Sequence, residues 1–65
     1  MIQVRFKPGI RVETDEGVLY VTRYQFKYRA SFQDKQGRTL VYSKAYAKAA
    51  SLNNFANKYG IDFTF

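Results

Sequence analysis

Arg23, Gln25, Lys27 and Arg29 follow one another at every second position, Ser31 and Gln33 continue the series, and no carboxylate interrupts it. In an extended chain, residues two apart point to the same side and lie about 6.6 Å from each other. That spacing is near the phosphate repeat of a nucleic-acid backbone, and Arg, Lys, Gln and Ser so placed can reach phosphates and base edges. Gln3, Arg5 and Lys7 repeat the pattern near the start of the chain. The chemistry on offer is binding rather than catalysis. The chain has no His and no Cys, so the usual general base, thiolate nucleophile and transition-metal ligands are missing. Asp15 and Glu16 share a turn and Asp34 shares a hairpin with Gly37, where turn formation accounts for them. No Gly-rich phosphate loop occurs. The expectation is a protein that is not an enzyme and uses no cofactor or metal.

Eleven Lys and Arg stand against five Asp and Glu, a formal charge of +6. Such a balance favours an acidic partner, either nucleic acid or an acidic protein surface. The acids are also segregated: Glu13, Asp15, Glu16, Asp34 and Asp62 lie in turns or near the termini, and between Gly17 and Ile61 only Asp34 is acidic. The 65 residues form a single domain (1–65) with a thin core, because a chain this short buries only about 60% of the surface it exposes when unfolded. The six Phe and six Tyr are the obvious means of offsetting that. No apolar run approaches the roughly 20 residues of a membrane span, and Met1 leads into an alternating segment rather than a signal peptide. The expected location is cytoplasmic, with no membrane partner.

The elements that must position these residues follow from hydrophobic period. Residues 2–6 alternate as a strand, Pro8-Gly9 breaks it, residues 10–13 form a second short strand, and 14–17 is a polar turn. The next alternating run, 18–33, is 16 residues long against the usual five or six of a strand, so a bend or tight turn is expected near 23–25. Asp34 to Gly37 closes a hairpin. A three-residue loop with Gly37 left-handed sets Phe32 opposite Leu40 and Ala30 opposite Tyr42, whereas a four-residue loop would set Phe32 opposite Thr39. Keeping like faces together favours the first.

From Ser43 the period becomes helical. Ser43 reads as an N-cap, Ala45, Ala49, Leu52, Ala56 and Tyr59 form a stripe with Phe55 beside it, and Gly60 supplies a left-handed end, giving a helix over roughly 44–59. Lys44 and Lys48 then occupy its first turns, beside free backbone amides that could hold a phosphate. Residues 61–65 alternate as a last short strand. The expected architecture is α+β: a small antiparallel sheet, made of an N-terminal hairpin and three further strands, packed on one C-terminal helix. The helix needs an apolar surface, and Tyr24, Phe26, Tyr28, Phe32, Leu40 and Tyr42 provide the continuous candidate. The opposite face would carry Gln3, Arg5, Lys7, Arg23, Gln25, Lys27, Arg29, Ser31, Gln33 and Thr39. Most tyrosines stand at core parity; Tyr20, Tyr42 and Tyr46 are those whose hydroxyls could reach solvent.

The segment 27–60, KYRASFQDKQGRTLVYSKAYAKAASLNNFANKYG, resembles the small arm-binding DNA domain at the N-terminus of phage and transposon integrases of the tyrosine-recombinase class. Tyr28-Arg29, Asp34 to Gly37, Tyr42, Ser43-Lys44 and Ala47 stand where that family has its strand, hairpin, aromatic and helix start. Tyr46 stands where the family usually has Glu, and the expectation is a free-standing binder without a recombinase domain. The resemblance implies a three-stranded sheet laid in the DNA major groove with a helix behind it. The opening V-R-F-K and the basic sheet before a C-terminal helix also look like small archaeal chromatin proteins, and S-K-x-x-A-K is similar to double-stranded RNA-binding domains.

The expected function is therefore nucleic-acid binding, with duplex DNA bound on the basic sheet face and RNA as a possible partner. The expected contacts are Arg23, Gln25, Lys27 and Arg29 at the centre, Arg5 and Lys7 on the flank, and Lys44 and Lys48 on phosphates. The alternative is a protein-binding inhibitor or adaptor of the kind mobile elements encode. Such a module would dock on an acidic or nucleic-acid-binding surface, or add the strand 61–65 to a partner sheet.

Overall fold

The computed structural model describes residues 1–38 and 40–65. The fold is α+β, with six strands among the described residues: β1 (Ile2–Arg5), β2 (Arg11–Glu13), β3 (Gly17–Tyr24), β4 (Lys27–Asp34), β5 (Leu40–Tyr42) and β6 (Ile61–Thr64). A helical segment, 49–59, precedes β6. It is a 3₁₀ turn (Ala49–Leu52), one α-helical turn α1 (Asn53–Ala56) and a second 3₁₀ turn (Asn57–Tyr59). Among the described residues no helix is long and apolar enough to cross a membrane.

β2, β3, β4 and β5 form an antiparallel sheet in that order, while β1 pairs in parallel with β6 in a separate two-stranded sheet. The expected N-terminal hairpin is thus replaced by a crossing. Pro8-Gly9 does turn the chain, but it delivers residues 9 and 10 to β3, where the Gly9 amide donates to the Val21 carbonyl at 3.0 Å and the Val21 amide donates to Ile10 at 3.0 Å. The 14–17 turn is as expected: the Thr14 hydroxyl accepts from the Glu16 and Gly17 amides at 3.2 Å each.

The core lies between the four-stranded sheet and a layer made of the helical segment and β6. Leu19, Val21, Ala30 and Phe32 from the sheet meet Leu52, Phe55, Ala56, Ile61 and Phe63, all buried. Three aromatic contacts lock the layers: Phe32 stacks on Tyr59 with centroids 3.9 Å apart, and Phe6 meets Tyr28 and Phe63 edge-on at 5.5 Å each. Asn53 ties α1 to β6 by donating to the Phe63 carbonyl at 3.0 Å and accepting from the Phe63 amide at 2.8 Å. Its amide group therefore stands in for a neighbouring strand.

The helix begins five residues later than its period suggests. Segment 43–46 instead continues along the edge of β4. Ser43 donates its amide to the Ala30 carbonyl at 2.8 Å and accepts the Ala30 amide on its hydroxyl at 2.9 Å. Tyr46 and Tyr28 exchange both backbone hydrogen bonds, at 2.7 and 2.8 Å. Between the Ser31–Tyr42 and Tyr28–Tyr46 pairs this segment carries one residue more than β4, which is a bulge. Satisfying buried β4 amides outweighs the modest helix propensity of a few alanines. From Ala49 onward the expected stripe holds, and Gly60 ends it with φ 76°.

Candidate nucleic-acid interface

The run 18–33 is a hairpin, and its turn decides the faces. Tyr24 pairs with Lys27, leaving Gln25 and Phe26 as a two-residue loop, with Gln25 at φ 57°. A positive φ at the first loop position matches the twist of a tight hairpin. Each pair across β3 and β4 joins an odd residue to an even one: Leu19 to Phe32, Val21 to Ala30, Arg23 to Tyr28. Paired residues share a face, so inward parity changes at the turn. The uninterrupted alternation through 23–33 spans two strands.

Four expectations are corrected by this. Tyr24 and Phe26 are not core: they are 72% and 86% exposed. Arg23 lies on the inward side, beyond the end of the core, with its guanidinium 5.8 Å from the Tyr28 ring centroid. Gln25 is a turn residue rather than part of a strand face. The β4–β5 register also differs, with Ser31 opposite Tyr42, Phe32 opposite Val41 and Gln33 opposite Leu40. The loop is longer than the three residues expected; the Asp34 carboxylate accepts the Arg38 amide at 2.7 Å and the Asp34 carbonyl accepts the Gly37 amide at 3.0 Å. Leu40 and Tyr42 consequently point outward with Gln33 and Ser31. Thr39 lies outside the described residues.

The outer face of the four-stranded sheet can be read as transverse rows. One row runs Arg11, Tyr20, Ser31, Tyr42 across all four strands. Toward the β3–β4 turn come Thr22 with Arg29, then Tyr24 with Lys27. Toward the other end lie Glu13, Val18, Gln33 and Leu40. Lys27, Arg29, Ser31 and Gln33 therefore share the face expected of them. The Arg29 guanidinium sits 4.8 Å from the Tyr42 ring centroid, and Arg11 5.9 Å from that of Tyr20. Glu13 is held by Arg11 at 2.8 Å. The hydrogen bond from Arg11 to the Tyr20 hydroxyl, followed by the charges of Tyr20 and Glu13, raises the Arg11 pKa above its ordinary value, so Arg11 stays cationic.

Arg5 and Lys7 do not join this surface. Arg5 belongs to β1, paired with Thr64 in the other sheet, and Lys7 lies in the connection that follows. Lys44 and Lys48 are exposed but precede the helical segment, so neither sits in a first helical turn; Lys48 immediately precedes the 3₁₀ turn, with extended backbone at φ −104°. The helix-start phosphate site is thereby corrected. Residue reading also missed Arg11 and Tyr24 as members of the surface. A parity change was the signal for Tyr24, and it is visible only once the turn is fixed at Gln25-Phe26. No protein family, curated protein or solved structure matches this chain.

Proposed function

We propose that this protein binds nucleic acid through the outer face of its four-stranded sheet, with Lys27 and Arg29 as the central phosphate contacts and Arg11 at the far edge. The observation that carries the reading is the charge pattern of that face. Its cations stand in an open surface whose one acid, Glu13, is already paired with Arg11. A net charge of +6 adds long-range attraction for a polyanion. The resemblance to integrase arm-binding domains points the same way, toward a sheet laid against DNA.

The test is fluorescence anisotropy of labelled random-sequence oligonucleotides, duplex and single-stranded, at about 50 and 200 mM salt. Micromolar or tighter binding that weakens steeply with salt is expected. Lys27→Ala and Arg29→Ala should each reduce the slope of log affinity against log salt by about 0.7 to 0.9. Absence of binding to every oligonucleotide at the lower salt would overturn the reading.

A second reading, a protein-binding module, is favoured by one observation: among the described residues β5 pairs only with β4, and Leu40, Val41 and Tyr42 are all exposed on this edge strand. An apolar edge of this kind can accept a partner strand. Insertion of charge by Val41→Lys would abolish that interaction and leave oligonucleotide binding intact.

A further inference from the structure

We infer that the occupant of this face is single-stranded nucleic acid, its unpaired bases stacked on Tyr24 and Tyr42; the inference rests on the nucleic-acid reading above and specifies its substrate. Tyr24 is 72% exposed and Tyr42 55%, and both lie on the outer face beside the cations, not in the core. Lys27 is directly opposite Tyr24, and the Arg29 guanidinium lies over Tyr42 at 4.8 Å. Beside the Tyr24 ring is a shallow cleft lined by Tyr24, Lys27, Tyr28, Arg29 and Ala45. Phe26, 86% exposed, extends the apolar surface at the hairpin tip.

A duplex has little use for such rings. Its base faces are covered by neighbouring pairs, so a protein reaches only phosphates, sugars and base edges, for which cations and amides suffice. An unpaired base exposes its flat face, and a ring or a guanidinium plane on an open sheet can stack against it while a nearby cation holds the adjoining phosphate. Tyr24 with Lys27 and Tyr42 with Arg29 are two such ring-and-cation units. Tyr24 stands about four residues along the sheet from the Arg11–Tyr42 row and Tyr42 two strands across from β3, which puts the units on the order of 15 Å apart. That span suits a few extended nucleotides running diagonally from one ring to the other. The remaining acids do not oppose the path: Asp15 and Glu16 lie in the β2–β3 turn and Asp34 ends β4, at the other end of the sheet, and Asp62 belongs to β6 in the other sheet.

The experiment compares a 12-nucleotide single strand with its duplex, each as DNA and as RNA, against wild type and four variants: Tyr24→Leu, Tyr42→Leu, Tyr24→Phe and Tyr42→Phe. Both side chains are exposed, so the variants should keep the wild-type thermal unfolding. The single strand should bind at least tenfold tighter than the duplex. Each Leu variant should lose about tenfold in single-strand affinity with the salt slope unchanged, because stacking releases no counterions, and each Phe variant should bind as wild type does. The DNA and RNA arms show which sugar the face prefers, and preference for the single strand of either supports the inference. Salt-dependent binding in which duplex equals or exceeds single strand, or Leu variants that bind like wild type, would overturn it and leave the nucleic-acid reading standing. No binding to any of the four oligonucleotides would defeat both.

Discussion

At the scale of single residues, Gly17 shows how closely β3 and β4 approach where the acidic turn enters the sheet. Gly17 is buried at the start of β3, opposite Asp34, and a side-chain carbon added there would collide with the Gln33 carbonyl oxygen while coming within 2.9 Å of the Asp34 Cα and the Phe32 ring. Two of these neighbours are backbone and cannot swing aside. Gly17→Ala should therefore destabilise the protein by about 1–3 kcal/mol, measured by urea unfolding, in the range of overpacked core positions. Tyr24 gives the contrasting case at the opposite end of the same strand. With most of its surface in water, it makes little difference to the core, and its replacement by Leu should be visible in ligand binding and not in stability.

At the scale of elements, the junction between the helical segment and β6 depends on one side chain. Asn53 uses both its carbonyl and its amine on the backbone of Phe63, a buried strand residue. Asn53→Ala should leave that amide and carbonyl without partners and lower stability by about 1–3 kcal/mol, only partly offset by the better helix propensity of Ala. Chemical denaturation with an unchanged m-value would verify it. The same reasoning explains the late start of the helix. Ser43 and Tyr46 satisfy backbone groups of Ala30 and Tyr28, so residues that carry a helical pattern are held extended along β4. A pattern of alanines at helical spacing is a local preference, and here a long-range strand pairing overrides it.

At the scale of the whole molecule, the two ends of the chain are joined: β1 and β6 pair from Ile2 with Ile61 to Arg5 with Thr64. Ile61 and Phe63 are buried in the common core. Burying two such side chains contributes about 3–6 kcal/mol, comparable with the roughly 3–10 kcal/mol total expected of a chain of this length. Deleting residues 61–65 should accordingly abolish cooperative unfolding, seen as loss of a sigmoidal thermal transition by circular dichroism. β6 is thus part of the core, and the protein-binding alternative is better tested at β5. The sequence by itself determined the α+β class, the turns at 14–17 and 34–37, the inward Tyr28, Ala30 and Phe32, the outward Lys27 and Arg29, and the left-handed end at Gly60. Each is a local matter, settled by period, turn chemistry or glycine. Only the tertiary structure decided which strand β1 joins, where the helix starts and which face Tyr24, Leu40 and Tyr42 take. The reason is that parity along a strand repeats every two residues, so one residue more or less in a turn reverses everything beyond it. A turn at Gln25-Phe26 and a longer loop after Asp34 moved four large side chains, Tyr24, Phe26, Leu40 and Tyr42, from the expected core to the surface, and Tyr24, Leu40 and Tyr42 share that surface with the cations.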